Sequence, residues 1–494
     1  MNPASLGLSL PVPTLTTVVA AVLVLAVGVW GRPMTSPRGA RGELLLTVIA
    51  TLATLACGLW SVLQLTSGPV QEMSGFFVFD SLAAVSTLLL SLSAAAIFLL
   101  SSTYLSSYRL PQAEYHALIL FSLSGGFLCF GAEHLLVLVM GLELATLPLV
   151  FLAGYDFERR TSNEAAQKSF FAGAVSSVML LLGVAFLYGS TGHLDFEGLR
   201  ANLDPTRLMS MAGVALVFAG FAMKLGLVPF HQWLPDVQQG APTSVSVYLA
   251  VCGVTTLVLA WMRLMLHGLP EMDALLSPVF LALSVATLFF ANLMALFQRN
   301  LKRMLAWLAV AQLGTFMLAF AAHTPEAYSA LIFYLGVQAA GFIGAFGVVM
   351  TTAEGARERD RLEHFAGIAR HRKILAVAMT VFMLNLAGIP GTAGFWARWQ
   401  LLSSSVAAGD LGFVIAQTLA SVLTLYVCMR VPVVMFMREE ELEMAESLMP
   451  STVELGVLLA CIAVAIGFGI WPDPELPPSF GGSLVDLLRG AVGS

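Results

Sequence analysis

Apolar residues run in stretches of roughly 18 or more along the whole chain, broken by short segments that hold most of the charges. Windows long enough to cross about 30 Å of hydrocarbon predict fourteen spans. They fall near 12–30, 43–63, 80–101, 114–131, 133–153, 165–189, 208–228, 244–267, 276–297, 303–322, 327–351, 373–393, 411–436 and 453–471. The pattern predicts an all-α polytopic membrane protein. Short loops on the inner side of a membrane are enriched in Lys and Arg. The loops after odd-numbered spans hold Arg32, Arg38, Arg41, Arg109, Arg159, Arg160, Arg299, Lys302, Arg303, Arg357, Arg359, Arg361, Arg370, Arg372 and Lys373. The opposite loops hold chiefly Arg200 and Arg207, which predicts both termini on the outer side of a bacterial inner membrane.

Composition agrees with this picture. Hydrophobic residues make up 58% and charged residues 11% of the chain, well below the roughly 25% charged of soluble domains, and the mean hydropathy is +0.85. The five cysteines, Cys57, Cys129, Cys252, Cys428 and Cys461, stand singly in apolar stretches, without the paired spacing of a zinc or iron–sulfur site. They read as core or lipid-facing fillers. No dinucleotide fingerprint or phosphate loop suggests nucleotide binding. The first apolar segment lacks a basic leader and a small-residue cleavage site, so it is expected to be retained. The largest aqueous segment, the charged run Glu354 to Lys373, is a loop and not a domain.

Two spans carry a proline-marked break at comparable depth. These are Lys224-Leu-Gly-Leu-Val-Pro229 in the seventh and Asn385-Leu-Ala-Gly-Ile-Pro390 in the twelfth. Five spans separate them, which predicts two five-helix repeats, helices four to eight and nine to thirteen. An odd number of spans per repeat inverts the second relative to the first, an arrangement associated with ion pathways at the midplane. The expected division is residues 1–112 as a three-helix segment, 113–268 and 269–437 as the repeats, and 438–494 as a last helix and tail.

An ionisable group at mid-membrane costs roughly 2.5–3.5 kcal/mol on insertion scales, so each calls for a partner or a task. Glu143 lies mid-span in Met140-Gly-Leu-Glu-Leu-Ala-Thr-Leu-Pro148, and Lys224 lies just before the first break. At an assumed ~7 Å separation their attraction would tighten the lysine's hold on its proton, so movement of Glu143 would load or release a proton. A static pair fixing helix packing is the alternative. Arg398 follows the second break; arginine holds its proton too tightly to pass it on, so it would tune or brace a path. Lys168 near the start of the sixth span reads as a modulator or an interface snorkeller. Lys302 and Arg303, opening the tenth, read as a topology anchor or a proton entry. His231 and Asp236 fall in the stretch after the first break, expected to be irregular backbone that is buried or lines water, with His231 either a structural residue or a relay. Asp80 is expected at a helix entry or a subunit contact.

These residues resemble a known family over nearly the whole chain. The strings are Gly141-Leu-Glu-Leu with Tyr155, Asn163-Glu-Ala-Ala-Gln-Lys168, Lys224-Leu-Gly-Leu-Val-Pro-Phe-His-Gln-Trp-Leu-Pro-Asp-Val-Gln-Gln-Gly-Ala-Pro242, Asn292-Leu-Met-Ala-Leu-Phe-Gln-Arg-Asn-Leu-Lys-Arg303 and Leu386-Ala-Gly-Ile-Pro390. The sequence looks like the N-subunit family of bacterial complex I, within the superfamily shared with Mrp-type cation/proton antiporters and related hydrogenase membrane arms. The resemblance implies a fourteen-helix, antiporter-like subunit that moves protons along a central polar axis, driven by quinone reduction elsewhere. It implies neighbouring antiporter-like subunits and small K-, J- and A-type subunits, with NADH, FMN, iron–sulfur clusters and quinone in partner subunits and no cofactor or nucleic acid in this one. Glu143 and Lys224 match the family's glutamate–lysine pair, and Lys168 and Lys302 match further family lysines.

Three positions depart from that pattern. Val254 and Gln312 stand where a lysine and a histidine are usual, and Arg398 replaces a lysine. Neither valine nor glutamine exchanges a proton near neutral pH, so the usual relay looks interrupted, unless water held by Thr255, Thr256 or Gln312 bridges it. Three readings stay open: a proton-pumping subunit, a non-conducting coupling subunit of the same complex, and an Mrp-type antiporter with sodium-dependent transport.

Overall fold

The computed structural model describes residues 11–30, 37–65, 70–72, 75–352, 360–409, 411–438 and 450–470. Arg32, the side chains of Arg38 and Arg41, residues 354–359 of the charged run with Arg357 and Arg359, and the tail beyond 470 lie outside the described residues. Eighteen α-helices follow one another: α1 (Val12–Trp30), α2 (Pro37–Leu65), α3 (Ser81–Ser107), α4 (Gln112–Phe130), α5 (Leu135–Ala153), α6 (Arg160–Thr191), α7 (Phe196–Asn202), α8 (Leu208–Leu225), α9 (Trp233–Gly240), α10 (Thr243–Tyr248), α11 (Val254–Arg263), α12 (Asp273–Leu296), α13 (Leu301–Ala322), α14 (Pro325–Thr351), α15 (Lys373–Ala387), α16 (Ala393–Ala407), α17 (Leu411–Met437) and α18 (Thr452–Ile470).

Among the described residues, thirteen helical segments are long and apolar enough to cross a membrane, and the shorter apolar α15 supplies the remaining expected span. The eighth span is α10 and α11 joined by a π-helical turn, Leu249–Gly253, with a second π-helical turn, Leu264–Gly268, at its end. Both breaks expected from the sequence are present. Each first half-helix ends on a glycine in the left-handed region, Gly226 (φ 75°) after α8 and Gly388 (φ 74°) after α15, where a side chain would be strained. The expected boundary at 393 is too short, because the chain re-enters a helix there and α16 runs to Ala407. Asp236 is likewise helical, in the first turn of α9, and not in irregular backbone.

The packing separates inner from outer helices. Nearly every residue of α13, α10–α11 and α14 is buried, so these spans form the centre of the bundle. Their apolar residues point in all directions, as a helix surrounded by others requires. By contrast α2, α6 and α17 leave large apolar side chains such as Leu52, Phe171 and Val422 on the perimeter, facing where lipid would lie. Helix α9 packs on both α6 and α13, so the first half of the chain is clasped to the second. A two-stranded hairpin, β1 (Val70–Glu72) with β2 (Phe77–Phe79), closes one end of the bundle. It pairs with the α4–α5 loop through Val78 N–H to the Gly131 carbonyl (2.8 Å) and Glu133 N–H to the Phe76 carbonyl (3.0 Å).

Candidate functional site

Helix α8 ends where its backbone must turn at Gly226, and Lys224 in its last turn is carried into the bundle interior, where its side chain is 2% exposed. Its ammonium has three donors and three acceptors: Glu143 Oε1 at 3.0 Å, Ser177 Oγ at 3.2 Å and Thr146 Oγ1 at 3.3 Å. Ser177 in turn donates to Glu143 Oε1 at 2.6 Å. Glu143 and Thr146 are three residues apart on one face of α5, and Ser177 comes from α6, so three helices build the site. Coulomb attraction falls inversely with distance, so contact at 3.0 Å more than doubles the attraction assumed at 7 Å.

Glu143 is 35% exposed, and it opens into a cavity of about 210 Å³. One water needs only about 10–15 Å³ of such space, so several would fit. Its polar lining is Glu143, Lys224, Ser177, Thr146 and Ser169; its apolar lining includes Phe170, Leu225, Leu249 and Val254. The valine noted in the sequence therefore lines the same cavity as the ion pair and contributes nothing polar to it.

The other expected residues lie elsewhere. Lys168 donates to Asp236 Oδ2 at 2.5 Å and pairs with Glu164 at 2.7 Å, while Arg303 reaches Asp236 Oδ1 at 3.0 Å. Asp236 thus joins α6 to α13 at the end of the bundle rich in basic residues. The Lys168 side chain is 39% exposed, so the cluster is a partly solvated clasp. Lys302 is fully buried and donates to the Ala241 carbonyl at 2.7 Å, at the C-terminal end of α9. His231 packs against Phe290 (4.6 Å) and Trp307 (5.5 Å), away from the cavity wall. All five cysteines are buried, as their apolar surroundings suggest.

Arg398 sits in α16 and is also buried, but it faces no carboxylate among the described ion pairs. Its Nε donates to the Tyr334 hydroxyl at 3.2 Å, and its two terminal nitrogens donate to the carbonyls of Ala387 (2.9 Å) and Leu386 (3.4 Å). Gln312 closes the same network: its amide donates to Leu386 O at 3.2 Å and its carbonyl accepts from Tyr334 at 2.8 Å. The guanidinium therefore caps the carbonyl end of α15, where positive charge is favoured.

A second buried charge cluster escaped the sequence reading. Arg263, 0% exposed, pairs with Asp80 and with Glu133 and donates from Nε to the Ala132 carbonyl at 3.2 Å. Asp80 meanwhile caps α3 through Ala83 N–H at 2.9 Å, which agrees with the expected helix entry. The available signal was a lone arginine inside the apolar eighth span.

Comparison with known proteins places these features in context. Residues 132–424 match the family described as NADH:quinone oxidoreductase/Mrp antiporter, transmembrane. The chain is 32% identical over 462 residues to a protein of Halorhodospira halophila called NADH-quinone oxidoreductase subunit N, covering 92% of this chain and 91% of that one. Its fold resembles a chain of respiratory complex I from Thermus thermophilus with TM-score 0.76 and 26% identity, covering 94% and 98% of the two chains. It also resembles a chain of an archaeal membrane-bound sulfane sulfur reductase with TM-score 0.83 and 22% identity over 97% and 98%, a likeness of fold.

Proposed function

We infer the function from one premise: the chain belongs to the NADH:quinone oxidoreductase/Mrp antiporter transmembrane family, whose general role is proton translocation coupled to quinone reduction. The chain is an antiporter-like membrane subunit of a complex I-type oxidoreductase, and its own task is to move protons. The observation that carries this reading is the buried Lys224 held by Glu143 at 3.0 Å beside a cavity able to hold water. Lys224 is the proton stopping point. Glu143 sets its affinity, because withdrawing the carboxylate leaves a buried ammonium with only hydroxyl partners, a state that favours release. Ser177 and Thr146 keep the ammonium in place while the carboxylate moves. Lys168 with Asp236, and Lys302, brace the basic end of the bundle, and Arg398 holds the second break in shape.

The subunit would sit in a bacterial inner membrane with both termini outside, between other antiporter-like subunits and small K-, J- and A-type subunits. NADH, FMN, iron–sulfur clusters and quinone belong to partner subunits. Residues 113–268 and 269–437 are the two inverted repeats, flanked by 1–112 and 438–494. A second reading, a non-conducting coupling subunit, draws on the closed Gln312–Tyr334–Arg398 network. Glu143→Gln separates the two. In vesicles holding the assembled complex, protons moved per quinone reduced should fall in this variant; an unchanged ratio favours the coupling subunit.

A further inference from the structure

The cluster around Arg263 binds three elements at one end of the first repeat: Asp80 at the head of α3, Glu133 in the loop between α4 and α5, and Arg263 at the end of α11. His267, in the π-helical turn Leu264–Gly268 that follows α11, lies with Nδ1 3.4 Å from Glu133 Oε1. Such turns recur at functional sites because they re-aim side chains out of the regular helical register. The other charged group acting on His267 is Arg200 of α7, within electrostatic reach.

The charge count at this cluster is uneven. One arginine, which holds its proton at any physiological pH, faces two carboxylates, so the core of the cluster carries one uncompensated negative charge. A buried net charge is costly, and a single proton on Glu133 removes it. Burial pushes the Glu133 carboxyl above its usual range, with Arg263 opposing. Arg263 is sealed, whereas the side chains of Glu133 and His267 are 21% and 22% exposed, so these two can exchange with water and the arginine cannot.

The cluster lies at the far end of the helix that supplies one cavity wall, on its opposite face, since Val254 and Arg263 are nine residues apart. Helix α11 begins at Val254 on the cavity wall and ends at Arg263, about 14 Å along its axis. Thr256 and Arg263 are seven residues apart and so share a face. Helix α4 approaches that face closely at Gly126, where a Cβ would lie 2.9 Å from the Thr256 hydroxyl. Toward the second break, the described hydrogen bonds of Gln312 and Arg398 go to carbonyls and one tyrosine.

We propose that Glu133 and His267, steadied by Arg263 and Asp80, form a one-proton release site at the outer end of the first repeat. A proton arriving from the Lys224 region occupies Glu133 and leaves through His267 to outer water, restoring the unprotonated cluster. The proposal rests on the reading of the chain as a proton-carrying subunit.

The test uses the assembled complex in inverted vesicles, whose lumen corresponds to the outer side, with lumen pH varied. Infrared difference spectra should contain a protonated-carboxyl band that titrates with lumen pH as one proton and is missing in Glu133→Gln. Proton release should follow the same curve, falling roughly tenfold per pH unit on its acid side, and should lose that dependence in Glu133→Gln and shift in His267→Gln. Glutamine still accepts from Arg263, so a merely structural tie predicts unchanged profiles in both variants, and that result overturns the inference. Lys224→Ala serves as the parallel control. Pumping lost there, with Glu133→Gln unaltered, defeats the release site alone; pumping retained there defeats the underlying reading and the release site with it.

Discussion

The two broken helices begin alike and end in opposite chemistry. Each first half-helix stops at a left-handed glycine, Gly226 or Gly388, with a proline shortly after. Two residues before the glycine stands Lys224 at the first break and Leu386 at the second. The positive charge at the second break comes instead from Arg398, ten residues beyond its glycine, reaching back from α16. Lys224 meets a carboxylate and two hydroxyls beside an open cavity. Arg398 meets two main-chain carbonyls and a tyrosine in closed packing. A similar break can therefore hold a titratable site or a brace, and the residue two before the glycine decides which. The ends of the second break are also held by Asn385, whose side chain accepts from Gly394 N–H at 2.9 Å and donates to the Val337 carbonyl at 3.1 Å.

This contrast can be broken or sharpened by substitution. The largest stability effect is expected for Arg398→Gln, which strips the cap from Leu386 and Ala387. Loss of charged hydrogen bonds and orphaned carbonyls should cost about 3 kcal/mol, read as a lower unfolding temperature of the complex. The complex that survives should keep its ratio of protons per quinone, whereas a fallen ratio would put Arg398 on the path. Next is Ser177→Ala. The ion pair remains at contact distance, but the hydroxyl joining Glu143 to Lys224 is gone; about 1 kcal/mol at this step corresponds to a roughly fivefold slower proton-linked turnover. No slowing would show that the hydroxyl only fills space. The smallest effect is expected for Lys168→Gln. A partly solvated ion pair contributes about 0–1 kcal/mol, so assembly and stoichiometry should hardly change, and a clear loss of pumping would raise Lys168 from brace to participant.

The span pattern was readable because each apolar run exceeds the membrane thickness, and the two breaks because Gly and Pro mark them. The pairing of Glu143 with Lys224 was also accessible, since two lone opposite charges at similar depth have few other partners. Where α16 ends was not: a helix that restarts after a break and continues to Ala407 leaves no stop signal at 393. Asp236 looked irregular because Pro235 precedes it, yet a proline in the first turn of α9 is tolerated there. Arg263 was overlooked because its partners Asp80 and Glu133 lie far away in sequence on a helix cap and a loop. Side-chain convergence of that kind depends on packing between distant segments, which periodicity does not encode.

The central claim is that proton transfer runs through Lys224 at the first break and not through Arg398 at the second. Its most direct test measures protons moved per quinone reduced in vesicles carrying fully assembled complex with Lys224→Ala, beside the same complex with Arg398→Gln. The account predicts a lower ratio for Lys224→Ala and the unaltered ratio for Arg398→Gln. An unchanged ratio in Lys224→Ala, or an equal fall in both, would contradict it.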